Sequence, residues 1–161
     1  LMRFLKDSGS PPPLVLRTAG ELVINEDLRL EFNHDKLDYD TIQNLIEAAD
    51  LAGIPLDAKT LEFALRKRLE QMAHDFQRRP EDIEALERMV TGIGLVYTLP
   101  FDVNLREVQN IHYELIERLY PAYWQKAARG DAFADRWIEY ADALNEKLLI
   151  KGRKTEDRGK S

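Results

Sequence analysis

Cysteine is missing altogether from the 161 residues. That excludes structural disulfides, cysteine–zinc sites and thiol nucleophiles, and it fits a reducing cytoplasm, the compartment expected for this chain. There is also no run of about 18 apolar residues, the length a membrane-spanning helix needs. The opening Leu1-Met2-Arg3-Phe4-Leu5-Lys6 lacks the layout of a signal peptide. Basic charge is in deficit: the net charge is −6, whereas phosphate backbones attract basic faces. Neither a nucleic-acid partner nor a membrane is therefore expected. Period-two alternation, the mark of a half-buried strand, is almost absent.

What is present is core-forming and helical. Apolar residues make up 44% and charged residues 32% of the chain, a globular mixture. The length suits one domain, able to bury roughly 70% of its unfolded surface. The expected division is a helical domain over 1–150 and a disordered basic tail over 151–161, where five Lys or Arg face Glu156 and Asp157. The tail alone carries +3 and the remainder −9. Residues 1–6 read as the end of a helix already under way, so the chain reads as a piece of a longer protein.

Starts and stops divide the rest into helices. Pro11-Pro12-Pro13 leads into a helix from about Leu14 to Asn25, with Leu16, Ala19, Leu22 and Val23 as its expected core face. A short helix over Asp27–Phe32 follows. The next starts near Asp38 or Asp40 and ends at Gly53-Ile54-Pro55. Asp57 caps a helix reaching about Gln77, with Leu61, Leu65, Leu69, Met72 and Phe76 as its seam. Pro80 is expected to open another, ending at Leu99-Pro100. Asn104, with Glu107 three residues on, is a capping-box arrangement for the next. Pro121 should bend or end that helix. A last helix over about 132–150 should bury Phe133, Trp137, Tyr140, Leu144 and Leu148. The fold class is all-α: an up-down bundle of about six to seven helices without a significant sheet.

Candidate chemistry is thin. Glu31-Phe32-Asn33-His34 is the one Glu-x-x-His spacing, and a di-iron bundle needs two. No metal or cofactor site is expected, and His34, His74 and His112 read as surface or boundary residues. No carboxylate pair stands out among 29 acidic residues, so no catalytic residue is assigned; Glu62, Glu70, Glu84 and Glu87 read as solvated faces. Gly92-Ile93-Gly94 lacks the strand and third glycine of a phosphate loop and reads instead as a close helix contact. The junction Tyr97-Thr98-Leu99-Pro100-Phe101-Asp102-Val103-Asn104, with Gln109, Asn110, His112 and Tyr113 after it, either ties loops together or meets a ligand. Tyr120, Tyr123, Trp124 and Trp137 could stack on sugars, with core packing as the competing role.

Three stretches carry a resemblance: Pro12 to Leu28 (PPLVLRTAGELVINEDL), Leu99-Pro100-Phe101-Asp102-Val103-Asn104-Leu105, and Gln109-Asn110-Ile111-His112-Tyr113. Together they resemble the uncharacterised C-terminal helical region behind the catalytic barrel of glycoside hydrolase family 57-type proteins, the amylase, mannosidase and branching-enzyme group. The pattern departs at Arg106, where an aromatic is expected, and at His112, where a tyrosine is expected. The resemblance implies a non-catalytic accessory domain, bracing or completing an α-glucan cleft that an N-terminal barrel forms. The implied partners are that catalytic domain and α-glucan. The parent protein would be a glycoside hydrolase or glucanotransferase, and its catalytic carboxylates would lie in the barrel. The interdomain or cleft-facing candidates are Tyr97, Phe101, Asn104, Gln109, Asn110 and Tyr113. The alternative is a helical protein-interaction module without a carbohydrate role.

Overall fold

A computed structural model describes the backbone of residues 14–159 and the side chains of residues 15–149. The expectation for residues 1–6 lies outside the described residues. Six helices and no strand occur among the described residues, which makes the chain an all-α bundle: α1 (Leu14–Phe32), α2 (Tyr39–Leu51), α3 (Ala58–Arg78), α4 (Ile83–Val96), α5 (Arg106–Ala128) and α6 (Ala132–Gly159). No described helix is long and apolar enough to cross a membrane. The chain divides into two compact units, residues 1–68 and 69–161.

In the first unit α1 runs unbroken to Phe32, where two helices were expected. Asn25 does not end it. Its amide group donates to the Glu21 carbonyl one turn back (2.8 Å) and to the Pro55 carbonyl (3.1 Å), and its side-chain oxygen accepts from the Asp57 N–H (2.7 Å). One side chain thus holds the loop after α2 against α1, and Arg17 adds a bond to the Gly53 carbonyl (3.1 Å). The expected core face of α1 is turned the other way. Leu28 and Phe32 are fully buried, while Leu22 is 69% and Val23 57% exposed. Helix α2 follows its signals: Asp38 accepts from the Thr41 N–H (3.1 Å) as the N-cap. Gly53 takes φ 65° just past the end, the left-handed conformation glycine adopts at least cost.

In the second unit Leu69, Met72 and Phe76 of α3 are buried, as the seam predicts. Helix α4 begins later than Pro80. Asp82 is its N-cap, accepting from the Ala85 N–H (3.1 Å). The Pro80 carbonyl instead accepts the indole N–H of Trp137 (2.8 Å), so the largest buried side chain has its one polar atom satisfied. Pro121 lies inside α5 and does not end it. It removes the donor that the Glu117 carbonyl would meet four residues on, a small loss where both residues face solvent. Asp131 caps α6, accepting from the Phe133 (3.0 Å) and Ala134 (3.1 Å) N–H groups. Trp137, Leu144 and Leu148 are fully buried, as expected, but Phe133 is 41% exposed. Helical backbone runs through Gly159, nine residues past the expected end at 150 and into the stretch expected to be a disordered tail. Basic residues at a helix C-terminus favour its continuation, because they meet the negative end of the dipole.

Candidate functional site

Two of the six candidate residues meet on α6. Tyr97 and Gln109 are structural ties. The Tyr97 hydroxyl donates to the Lys147 carbonyl, and the Gln109 amide donates to the next carbonyl, Leu148 (3.0 Å). Side chains following α4 and on α5 therefore grip successive carbonyls of α6. These two bonds are of the loop-tying kind. Phe101 is half-buried. Asn104 accepts from the Arg106 N–H two residues on (3.0 Å), a local turn rather than a helix cap. The residue at the N-cap position is Leu105, which makes no side-chain cap bond. Glu107 does not reach back; its carboxylate lies 3.8 Å from His74 of α3. Asn104 before α5 is exposed, as are Asn110 and Tyr113 on it.

His112 points the opposite way from these two. It is 1% exposed, and both ring nitrogens are buried without a hydrogen-bond partner. Burial pushes its pKa down from the usual 6.5 to about 4, because the low-dielectric surroundings disfavour the charged ring. It is therefore a neutral core residue at pH 7, not the boundary histidine expected. His34 sits 3.4 Å from Glu31 across one helical turn and is exposed, so the single Glu-x-x-His spacing yields a surface pair. No group of three or more His, Cys, Asp or Glu placed to hold a metal occurs among the described residues.

The Gly92–Gly94 stretch sits within α4, which packs against α6. A side chain at Gly94 would meet only the flexible end of Lys147, at 3.8 Å. That is ordinary van der Waals distance to a flexible chain end, so the position admits alanine and the expected close contact does not itself require glycine at Gly94.

The four C-terminal aromatics separate into two pairs. Tyr123 stacks on Trp137 with centroids 4.1 Å apart and planes 8° from parallel, the core role. Tyr120 and Trp124 also lie nearly parallel, 16° apart with centroids at 6.2 Å, but Trp124 is 57% exposed. The Tyr120 hydroxyl donates to Asp142 of α6 (2.9 Å), which fixes its ring. Partial burial and that bond raise its pKa.

Helical spacing adds Tyr113 and Asn110 to this pair. Positions 106, 110, 113, 117, 120 and 124 recur every three or four residues and so share one face. They hold Arg106, Asn110, Tyr113, Glu117, Tyr120 and Trp124, all exposed except half-buried Tyr120. The face spans about 27 Å at a rise of 1.5 Å per residue. It alternates flat aromatic rings with an amide, a carboxylate and a guanidinium. The face could have been found from the sequence by following that spacing from Asn110. It was hidden because aromatics at helical spacing are usually core, and the buried stripe of Val108, Ile111 and Leu115 runs beside it on the same helix.

No protein-family profile matches the chain, and neither any curated protein nor any solved structure does so.

Proposed function

We propose that this chain is a non-catalytic helical accessory domain that binds through the exposed aromatic face of α5, and that it braces or completes an α-glucan cleft beside a catalytic barrel, as the family 57-type resemblance implies. The observation that supports the reading is the Tyr120–Trp124 pair. Of two near-parallel rings, one is held by Asp142 and the other, Trp124, presents aromatic surface to water. Pyranose rings present C–H faces to such surfaces, and hydroxyl groups at their edges need donors and acceptors like those of Asn110 and Glu117. Aromatic side chains have few rotatable bonds and so cost little entropy to use. Of the six interdomain or cleft-facing candidates, Asn110 and Tyr113 belong to this face. Tyr97 and Gln109 each make a hydrogen bond to the α6 backbone.

The test is calorimetric titration with maltooligosaccharides, alongside a β-linked oligosaccharide as control. Binding of the α-linked series, weakened about tenfold in Trp124→Ala and retained in Trp124→Phe, is the expected result. Equal indifference to both sugars would remove the carbohydrate reading. A second reading, a protein-interaction module without a carbohydrate role, draws on a different surface: the outward apolar residues of α1.

A further inference from the structure

Helix α1 exposes Val15 (79%), Leu22 (69%), Val23 (57%) and Leu30 (46%). With Ala19 and Glu26 they occupy one face of the helix, opposite the face that buries Leu28 and Phe32. Leu22, Val23, Glu26 and Asp27 line a shallow, open depression on it. The four exposed apolar residues stand at intervals of seven, one and seven. That order reads the same in both directions, with its centre between Leu22 and Val23.

We infer that this face of α1 pairs with the same face of a second copy of the chain, the two helices running antiparallel about a two-fold axis between Leu22 and Val23. A self-complementary patch is what a two-fold interface requires, since each residue meets its counterpart's partner. In that register Val15 lies level with the copy's Leu30, and Leu22 with the copy's Val23. Charge selects the direction. Glu26 is the acidic residue inside the stripe, and parallel pairing would set it against its own copy. Antiparallel pairing sets it level with the small Ala19, about 10 Å along the axis from the other Glu26. Its carboxylate is already engaged by Arg29 of the same helix, which donates two hydrogen bonds (2.9 and 2.6 Å) and holds its pKa below the usual carboxylate value. The stem of Glu26 can therefore cover Ala19 while its charge stays paired at the rim. The contact is short: α1 is about 28 Å long, and one helix pair falls below the roughly 1,200 Å² of a standard stable interface. The dimer is accordingly weak, and its population rises with concentration.

The absence of cysteine gives a direct test. Single-cysteine chains Leu22→Cys and Val15→Cys are oxidised under native conditions. Sedimentation equilibrium is run on the unmodified chain and on Leu22→Lys and Glu26→Leu. The expected result is a disulfide-linked dimer for Leu22→Cys and little for Val15→Cys, whose two thiols lie about 22 Å apart along the axis. Average mass should rise toward two copies with concentration. Leu22→Lys should weaken the association about tenfold and Glu26→Leu strengthen it about tenfold. Both sites are exposed, and an unchanged circular dichroism spectrum confirms that each variant folds. A monomer at every concentration overturns the inference, since another occupant then covers the stripe. Cross-linking of Val15→Cys as readily as Leu22→Cys overturns the antiparallel register, and an unchanged mass for Leu22→Lys overturns the surface. None of these outcomes depends on sugar binding at α5.

Discussion

The two halves of α5 carry similar residues to opposite ends. From Arg106 to Leu115 the helix buries Val108, Ile111, His112 and Leu115; from Ile116 to Ala128 it fully buries nothing. Yet the second half holds Tyr120, Tyr123 and Trp124, the more hydrophobic payload by area. The first half is fixed by a tie from Gln109 to the α6 backbone and by a closed apolar stripe. The second half keeps one stacked pair inside and leaves another in water. Side-chain type does not separate core from surface along this helix. Angular position relative to α6 does, and aromatic residues that remain outside after packing are those available for binding.

The sharpest way to break the comparison is to truncate one residue in each half. Leu115→Ala should cost about 3 kcal/mol, lowering Tm by roughly 6–12 °C, because a fully packed side chain leaves a cavity. Thermal melts of Leu115→Ala that match the unmodified chain would mean that the buried half is not the stabilising one.

His112 tests the same half through pH. Its folded-state pKa of about 4 lies below the ordinary 6.5. Between those values the unfolded chain takes up a proton that the folded chain refuses, so stability falls with falling pH. The contribution should be fully retained above about pH 6.5, decline through the interval and level off below about pH 4, with an upper bound of about 3 kcal/mol. Urea denaturation at pH 7, 5.5 and 4 measures it. His112→Leu should flatten that slope and, by removing two unpartnered nitrogens, gain about 1 kcal/mol at pH 7. Equal slopes for the two proteins would refute the role of the buried ring.

A smaller effect probes the packed side from α4. Gly94→Ala should stabilise by up to about 1 kcal/mol, since the helix gains propensity and the added carbon meets only the mobile end of Lys147. A loss of Tm would show α6 to be closer there than this geometry allows. The smallest effect belongs to the outer half: Trp124→Ala should change stability by less than about 0.5 kcal/mol, as exposed positions do. A larger loss would make Trp124 a packing residue and dissolve the contrast.

The elements themselves were legible. Asp38, Asp57, Asp82 and Asp131 each accept from a backbone N–H two or three residues on, and capping is a short-range matter of one side chain and one free donor. The seam of α3 was legible too, because its buried residues recur at helical spacing. Asn104 misled. Asparagine before a Glu-containing turn has the form of a cap, but its oxygen reached the donor two residues on and Glu107 went to His74. Asn25 and Pro80 misled for a related reason: both looked like boundaries, and both serve partners distant in sequence, at Asp57 and Trp137.

The candidate site was legible only in part. Asn110 and Tyr113 were singled out from the sequence and do face solvent. For Trp124 the sequence leaves sugar stacking and core packing as competing roles, and its exposure of 57% sets it outside the core. A helix has one angular pattern in its sequence, but which arc is covered depends on where the neighbouring helices lie, and α1 shows this most plainly. Leu16, Ala19, Leu22 and Val23 form an apolar arc, as does Leu28 with Phe32, and only the second was taken up by the first unit. The sequence by itself determined that the chain would be helical, where most helices would start and stop, and that cysteine chemistry was excluded. All of these follow from local propensity, capping and composition. Only the tertiary structure decided which face of α1 stays open, that His112 would be neutral and buried, and which aromatic pair remains in water. Those outcomes follow from burial against segments distant in the chain, which no local pattern encodes.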